Sequence, residues 1–303
     1  MTRISVIANL RHQLGESPVW NSIEQAWYWV DITGQSLNRY RNADQSLDQR
    51  LFTFRPSYFG FTDTNEIILT GSAGVYRLAH LHAEPLLLCH PESHRPGHRF
   101  NDGAVTPDGG FIAGTLGDGK SASGTAYQFE FEYGQLTYSP IQNGYQIING
   151  QAFSPDGRWY YVTDTPTKRV LRYPYDRTHK RLGKAELFYQ FSAELDWPDG
   201  AAVDRRGNYW IALHGAGTIA VIAPTGERIR DIQLPTRKPT MVAFGGPKLN
   251  QLLVTSACQE LDAGQLAAEP LAGAVLLIDL DASDLGTEPI RIKTTEDLNA
   301  SRP

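Results

Sequence analysis

Six strand-like segments of this chain begin with a polar residue that stands four positions before an apolar one. The six pairs are Glu16 and Trp20, Ser57 and Phe61, Asn101 and Val105, Asn149 and Phe153, Asp199 and Val203, and Thr240 and Phe244. Successive pairs are roughly 40 to 50 residues apart, which is the period of a four-stranded β-propeller blade. In a propeller the first strand of every blade lines the central channel, so equivalent positions meet around one axis.

The repeat therefore predicts an all-β fold, a six-bladed β-propeller with four antiparallel strands per blade. Hairpin turns such as Pro155-Asp156-Gly157 separate runs of alternating β-branched and aromatic residues, as expected for blades. The segment Ile4 to Ile7 reads as a strand without a partner in the first blade. We expect it to complete the last blade and close the ring, which would cover an exposed sheet edge. We expect residues 1–303 to form one domain, with one short helical turn within 260–271.

Composition excludes several classes of function. The chain has 303 residues, 41% of them hydrophobic, a formal net charge of −5 and a pI near 5.9. There is thus no basic footprint for nucleic acid or for an anionic membrane surface. Cys89 and Cys258 match no zinc-site spacing and read as free thiols. No signal-peptide pattern or membrane-spanning apolar run is present, so the expectation is a cytoplasmic protein with no protein partner implied.

The six polar positions should lie at one mouth of the channel. The first strand of a blade crosses the ring and the second returns antiparallel, so the start of one and the end of the other share a face. The segments Thr115–Gly119, Thr163–Thr165 and Leu213–Gly215 would then surround the polar residues. His214, at the end of a second strand, becomes a candidate substrate contact on this ground.

Three of the six residues suggest a metal site. Glu16, Asn149 and Asp199 offer two carboxylates and an amide oxygen, which suit a hard divalent cation such as Ca²⁺, Mg²⁺ or Mn²⁺. Three protein ligands leave room for water and substrate. Asn-Gly and Asp-Gly pairs are ordinary turn formers, which is the plain alternative. Each of these blades has its hairpin turn a few residues later, however, and Glu16-Ser17 keeps the spacing without glycine. The residues alone predict metal-assisted hydrolysis and leave the substrate open.

The same residues resemble a known family. The segments Leu14–Trp20, Arg99–Gly103, Asn149-Gly150 and Pro198–Gly200, with Phe244–Pro247, are similar to the senescence-marker-protein, gluconolactonase and luciferin-regenerating family. The likeness spans nearly the whole chain and is strongest toward bacterial sugar lactonases. Members of that family are six-bladed propellers that hydrolyse aldonolactones with one divalent cation.

The resemblance implies a role for each matching residue. Glu16, Asn149 and Asp199 would be the metal ligands, and Asp199 would also be the catalytic base that takes a proton from water. Arg99 and Asn101 would contact the oxygens of the lactone. Asp118 stands near the position where some relatives carry an acidic residue that touches substrate. The cation could be Ca²⁺, Mg²⁺, Mn²⁺, Zn²⁺ or Fe²⁺.

Two other functions remain open at this stage. A propeller with a similar cation and a less polar pocket could hydrolyse organophosphates instead of lactones. A Ca²⁺-binding or protein-interaction propeller without turnover is the alternative outside enzymology, since one fold hosts many functions. Three ligands of differing type favour an enzyme over a structural ring of like residues. The sequence does not identify the sugar of the lactone.

Overall fold

The structure of the protein is a computed structural model that describes residues 3–281 and 283–294. Its strands form six sheets arranged as the blades of a propeller. From the channel outward, blade 1 consists of β2 (Gly15–Asn21), β3 (Ala26–Asp31), β4 (Ser36–Arg41) and β5 (Leu47–Leu51). Blade 2 consists of β6 (Pro56–Phe61), β7 (Ile67–Gly71), β8 (Gly74–Leu78) and β9 (Leu86–Cys89). Blade 3 consists of β10 (Arg99–Val105), β11 (Phe111–Leu116), β12 (Gly124–Glu132) and β13 (Gln135–Tyr145).

Blades 4 to 6 follow the same plan. Blade 4 consists of β14 (Ile148–Phe153), β15 (Trp159–Asp164), β16 (Arg169–Asp176), β17 (Arg181–Leu182) and β18 (Glu186–Gln190). Blade 5 consists of β19 (Asp196–Val203), β20 (Tyr209–Gly215), β21 (Thr218–Ile222) and β22 (Arg228–Gln233). Blade 6 consists of β23 (Pro239–Gly245), β24 (Gln251–Ser256), β25 (Val275–Asp279) and β1 (Arg3–Ala8). In blade 4 the outer edge is divided, because β17 and β18 pair with different ends of the long β16.

The predicted six-bladed propeller and its closure by the N-terminal strand are both confirmed. β1 pairs antiparallel with β25, from Arg3 opposite Asp279 to Ala8 opposite Val275. The expected helical turn is α1 (Ala263–Ala268), which begins with a capping box between Asp262 and Gln265. A 3₁₀ turn also spans Thr165–Thr167. The predicted extent of one domain, residues 1–303, includes residues outside the described ones and stays a prediction.

The core lies between neighbouring blades. Each pair of adjacent sheets buries one cluster of apolar side chains, so the aromatic residues of the strand pattern serve mainly as packing. The junction that closes the ring holds Trp20, Trp27 and Trp29 of blade 1 against Leu253 and Val275 of blade 6. Within the described residues no helix combines the length and apolar character needed to cross a membrane.

A β-bulge interrupts every innermost strand at the same place. In blade 1, Glu16 pairs with Val30 and Val19 pairs with Tyr28. The two pairs are three residues apart on β2 but only two apart on β3, so β2 contains one extra residue. The same shift occurs in β6, β10, β14, β19 and β23. A bulge places an extra residue in one strand and changes the direction of its side chains. The polar residues near the start of each inner strand therefore lie beside a bulge.

Below the bulges the channel is largely apolar. Residues such as Phe61, Val105 and Phe244 line a cavity of about 210 Å³. Residues 285–294, which we call the C-terminal segment, cross the end of the channel opposite the bulges. The Ile292 amide donates to the Phe61 carbonyl at 2.8 Å, and the Lys293 amide donates to the Gly109 carbonyl at 2.8 Å. The C-terminal segment thereby joins blades 2 and 3 from below.

Candidate functional site

The six polar residues occupy two registers instead of one. Ser57, Asn101, Asp199 and Thr240 lie inside the bulges, whereas Glu16 and Asn149 are the last regularly paired residues before them. The pairing of the six inner strands with their neighbours establishes this. The positions equivalent to Asp199 in blades 1 and 4 are Ser17 and Gly150. The prediction of one shared register is therefore wrong for Glu16 and Asn149.

The reason is the backbone of the bulge. Ser17 and Gly150 adopt left-handed conformations, with φ of 49° and 60°. A Cβ on Gly150 would lie 2.4 Å from the Tyr209 hydroxyl, so the close approach of blade 5 requires glycine there. These left-handed residues change the chain direction directly after Glu16 and Asn149.

Three bulge residues connect neighbouring blades. Ser57 Oγ donates to the Phe100 carbonyl at 2.6 Å, and Thr240 Oγ1 donates to the Gly15 carbonyl. Asn101 Nδ2 donates to the Ile148 carbonyl at 2.9 Å. These side chains therefore have a structural role in joining inner strands. Asp199 holds the equivalent position in blade 5, and a carboxylate cannot donate such a bond. Blade 5 thus departs from the pattern with an acceptor at the channel mouth.

A chain of hydrogen bonds runs across blades 3, 4 and 5. Arg99 Nη1 donates to Asn101 Oδ1 at 2.8 Å, and Asn101 Nδ2 donates to Asn149 Oδ1 at 2.8 Å. Asn149 Nδ2 donates to Thr165 Oγ1 at 2.9 Å, and Thr165 donates to the Pro198 carbonyl at 2.8 Å. The chain fixes the orientation of the Asn149 amide, whose oxygen keeps a second lone pair. Thr165 lies in a segment that the sequence places beside the polar residues, but its bond to Asn149 was not predicted.

Two further aspartates position the inner strands of blades 1 and 4. Asp31 ends β3 and accepts hydrogen bonds from the amides of Gln13 and Leu14, each at 2.9 Å. Asp164 ends β15 and accepts from the Ile147 amide at 2.8 Å and the Gln146 amide at 3.2 Å. Each aspartate thus holds the chain just before Glu16 or Asn149.

The carboxylates of Glu16 and Asp199 come from blades 1 and 5 and share the buried mouth of the channel. Each of the two residues is 9% exposed. Burial raises the pKa of Glu16 well above its ordinary value, and the charges of Asp199 and Asp102 raise it further. Burial and the charge of Asp102 likewise raise the pKa of Asp199, while Arg99 acts in the opposite direction. Two negative charges are therefore costly here without a cation.

Asp102 is a third buried carboxylate, and its importance was missed from the sequence. Its side chain accepts hydrogen bonds from the amides of Gly103, at 2.7 Å, and Gln151, at 2.8 Å. Burial nevertheless raises its pKa to about 7. The Asn101-Asp102-Gly103 motif contained the signal, because it places a second polar residue next to Asn101 inside the bulge. Asn101 points across to blade 4, and Asp102 adds to the negative potential at Glu16 and Asp199.

Arg99 is the cation beside these acids. Burial lowers its pKa to about 10, the charge of Arg55 lowers it too, and Glu16 and Asp199 raise it. Arg99 thus lies within electrostatic range of both carboxylates and of Arg55. Its Nη1 also donates to the Phe100 carbonyl at 2.8 Å, which holds the guanidinium at the mouth.

Within the described residues, neither of the two remaining predicted contacts takes part in the chain of hydrogen bonds across blades 3 to 5. His214 pairs with Trp197 in blade 5, two residues before Asp199, and burial lowers its pKa to about 4. It is therefore neutral at neutral pH. Asp118 is exposed, and its Oδ1 accepts bonds from the Lys120 and Ser121 amides, each at 2.9 Å. These bonds hold its own loop. A substrate role for either residue stays a prediction.

The donor set suits a hard cation. Glu16, Asn149 and Asp199 supply oxygen only, and the buried negative charge around them exceeds the single positive charge of Arg99. Among residues 3–281 and 283–294, no three His, Cys, Asp or Glu side chains are grouped so that they could hold a metal. A cation at the mouth would thus take its third protein ligand from the Asn149 amide.

Comparison with known proteins agrees with the fold. Residues 14–258 match the family described as SMP-30/gluconolactonase/LRE-like region. A 6-deoxy-6-sulfogluconolactonase of Pseudomonas putida is 37% identical over 271 residues, 86% of this chain and 89% of that protein. A pentonolactonase of Haloferax volcanii is 28% identical over 89% of this chain and 92% of its own.

Solved structures give the same result. The structure described as a calcium-binding protein, regucalcin, from Agrobacterium tumefaciens has a TM-score of 0.89 at 27% identity. The alignment covers 95% of this chain and 96% of that chain. With its family match over most of its length, this chain belongs to the SMP-30/gluconolactonase/LRE-like family.

Proposed function

We propose that this protein hydrolyses a sugar lactone to the open-chain aldonic acid, with one divalent cation bound at the channel mouth. The observation that carries the proposal is the meeting of two buried carboxylates, Glu16 and Asp199, beside the fixed amide of Asn149 and the guanidinium of Arg99. These groups come from four different blades. An acidic site rich in oxygen atoms, next to the oriented guanidinium of Arg99, supports hydrolysis of an ester-like bond.

The cation would be held by Glu16, Asn149 and Asp199. When bound, it supplies positive charge that polarises the lactone carbonyl and makes nearby water more acidic. Its charge would also favour the ionised forms of Glu16 and Asp199, because it opposes the rise in their pKa values that burial causes.

The residues of the chain would supply the rest of the chemistry. Asp199 takes a proton from the attacking water, whose oxygen bonds to the carbonyl carbon of the lactone. The bond from that carbon to the ring oxygen then breaks, and the proton passes to the ring oxygen as it becomes a hydroxyl. Arg99 and Asn101 orient the substrate through its oxygens, since a guanidinium is a rigid planar donor.

The relatives support a sugar lactone as the substrate class. Proteins similar to this chain are named for the hydrolysis of 6-deoxy-6-sulfogluconolactone and of pentonolactones. Both names describe lactones of polyhydroxylated acids, and the polar mouth suits such substrates. The relative named as calcium-binding supports Ca²⁺ as one candidate for the cation.

The direct test is a lactonase assay on protein whose metal content has been removed and measured. A panel of aldonolactones is offered with Ca²⁺, Mg²⁺, Mn²⁺, Zn²⁺ or Fe²⁺ added back one at a time. We expect hydrolysis to disappear on chelation and to return with at least one cation. Full activity at verified zero metal content would contradict the proposed role of the cation.

The same assay separates the alternatives. Faster turnover of a phosphotriester than of every lactone would indicate an organophosphate hydrolase. Tight Ca²⁺ binding without turnover of any substrate would indicate a binding or interaction propeller. The variants Asp118→Ala and His214→Ala decide whether these two residues contribute, because loss of substrate affinity in either would place it in the substrate site.

A further inference from the structure

One position of the inner strands carries cations in three of the six blades. It is the residue just before the last regular pair ahead of the bulge, and its occupants are Gly15, Arg55, Arg99, Ile148, Trp197 and Lys238. The shared register places all six at the rim of the same mouth. Positive charge therefore stands at this position in blades 2, 3 and 6, of which blades 2 and 3 are neighbours.

Lys238 is already paired. Its Nζ donates to the Gln259 carbonyl at 2.9 Å and lies 3.8 Å from a Glu260 carboxylate oxygen. Arg55 differs, because within the described residues its guanidinium forms no ion pair and no hydrogen bond, and the side chain is exposed. Its backbone is held in place, since the Arg55 amide donates to Ser72 Oγ at 3.1 Å.

Arg55 stands directly before β6 and Arg99 begins β10, and these two inner strands are joined by the hydrogen bond from Ser57 Oγ to the Phe100 carbonyl at 2.6 Å. The charge of Arg55 contributes to the lowered pKa of Arg99, which also lies near Glu16 and Asp199. In the described part of the chain Arg99 uses only Nη1 for hydrogen bonds, so Nε and Nη2 remain as donors. Two neighbouring guanidinium groups with unused donors form a site for an oxyanion, which would offset their repulsion.

We propose that Arg55, together with Arg99, binds an anionic group on the terminal carbon of the substrate, at the end away from the lactone carbonyl. This inference rests on the proposed lactonase function and narrows its substrate class to aldonolactones with a terminal oxyanion, either a sulfonate or a phosphate. The buried carboxylates near Arg99 take the reacting end of the substrate. Arg55 is exposed and precedes the inner strand of blade 2, next to blade 3, which carries Arg99. Arg55 is thus a specificity-determining residue.

The test compares three substrates on the metal-loaded protein: glucono-1,5-lactone and its 6-deoxy-6-sulfo and 6-phospho analogues. For the wild type we expect a higher kcat/KM for at least one anionic lactone than for the neutral one. In Arg55→Met the ratio of anionic to neutral kcat/KM should fall by about tenfold or more, mainly through KM, because a charge-assisted hydrogen bond is lost. The anionic lactone whose kcat/KM falls more in Arg55→Met identifies the natural terminal group of the substrate.

Two variants control the comparison. Arg55→Lys keeps the charge and should retain part of the preference, which a purely structural role of Arg55 would not predict. Arg206 is an exposed arginine in the hairpin turn at the opposite face of blade 5, and Arg206→Met removes the same charge. That variant should leave the ratio of anionic to neutral kcat/KM unchanged.

The outcomes distinguish this inference from the proposed function. Hydrolysis of gluconolactone with no preference for either anionic analogue, or an equal loss on all three substrates in Arg55→Met, overturns the inference and leaves the lactonase intact. No hydrolysis of any lactone overturns the proposed function. In that case calorimetric titration with 6-deoxy-6-sulfogluconate, 6-phosphogluconate and gluconate decides the inference. Equal affinity for the three acids would then refute an anion site at Arg55.

Discussion

Asp199 is the only acidic side chain among the six residues at its register within the described inner strands, where other blades carry a hydroxyl, an amide or glycine. A carboxylate at this position donates no hydrogen bond to the next blade and instead provides an acceptor at the channel mouth. The substitution Asp199→Asn keeps the shape and one oxygen while removing the base. We expect turnover to fall by about 100-fold or more with some cation affinity retained.

Cation binding by calorimetry and lactone turnover, measured on the same preparation, check this prediction. Asp44→Asn is the matched control, because Asp44 is exposed in the turn between β4 and β5 and caps the Ser46 amide. Near-normal turnover of Asp199→Asn with cation bound would show that another group is the base, with Glu16 the next candidate.

Asp102 makes the stability of the cation-free protein depend on pH. Its pKa is about 7 in the folded state and near 4 in the unfolded chain, so the folded state binds more protons between these values. Protonated Asp102 therefore contributes its full stabilisation of the folded state below pH 4, and this contribution is lost as pH rises through 7. For Asp102 alone this predicts a loss of about 2 to 3 kcal/mol in unfolding free energy between pH 5 and pH 8.

Urea unfolding of chelator-treated protein at pH 5 and pH 8 tests this. Glu16 and Asp199 also have raised pKa values and add to the same trend, so the readout is the difference between the wild type and Asp102→Asn. The loss between the two pH values should be smaller in the variant. An identical loss in both proteins would show that Asp102 does not titrate in this range.

At the scale of the element, the bulge decides where the site residues point. Gly150 has a φ of 60°, and a Cβ there would lie 2.4 Å from the Tyr209 hydroxyl and 3.2 Å from the Asp199 carbonyl. Gly150→Ala should therefore cost about 2 to 3 kcal/mol and weaken cation binding, because the strands of blades 4 and 5 must move apart.

Gly134→Ala is the control for this prediction. Gly134 has a φ of 76° in the turn between β12 and β13, and a Cβ there would meet no atom within 4 Å. It isolates the strain of the left-handed backbone, about 1 to 2 kcal/mol, from the clash. Equal destabilisation of the two variants, with unchanged cation affinity, would exclude the close approach at Gly150 as a determinant of the site.

The bulge also shows how far the sequence could predict the site. The four-residue spacing identified the inner strands, because alternation and turn residues are local signals. It also placed Glu16 and Asn149 in the register of Asp199, which is wrong by one residue. The left-handed conformation of Ser17 is the reason, since serine gives no local signal for it. Asp31 and Thr165 form hydrogen bonds to residues of other segments, so only the folded chain reveals these bonds.

At the scale of the whole molecule, the C-terminal segment shows the same limit. Residues 285–294 have no periodic pattern, and their bonds reach inner strands and turns distant in the sequence. Ile292 is fully buried against blades 2 and 3, whereas Ile290 is 44% exposed. Ile292→Ala should lower the unfolding free energy by about 2 to 4 kcal/mol.

Ile290→Ala removes the same atoms from a partly exposed position and should cost less than about 1 kcal/mol. Chemical denaturation of both variants measures the difference. If the two variants are equally stable, the C-terminal segment contributes little to holding blades 2 and 3 together.

The pairing of β1 with β25 has a consequence for the time course of synthesis. β1 ends at Ala8 and its partner begins at Val275, so almost the entire chain is made between them. At 5 to 20 residues per second, β1 leaves the ribosome roughly 15 to 50 seconds before β25 exists. During that interval the nascent protein is an open arc of blades whose two ends both expose unpaired backbone. The ring of blades that surrounds the mouth closes only after β25 has been made.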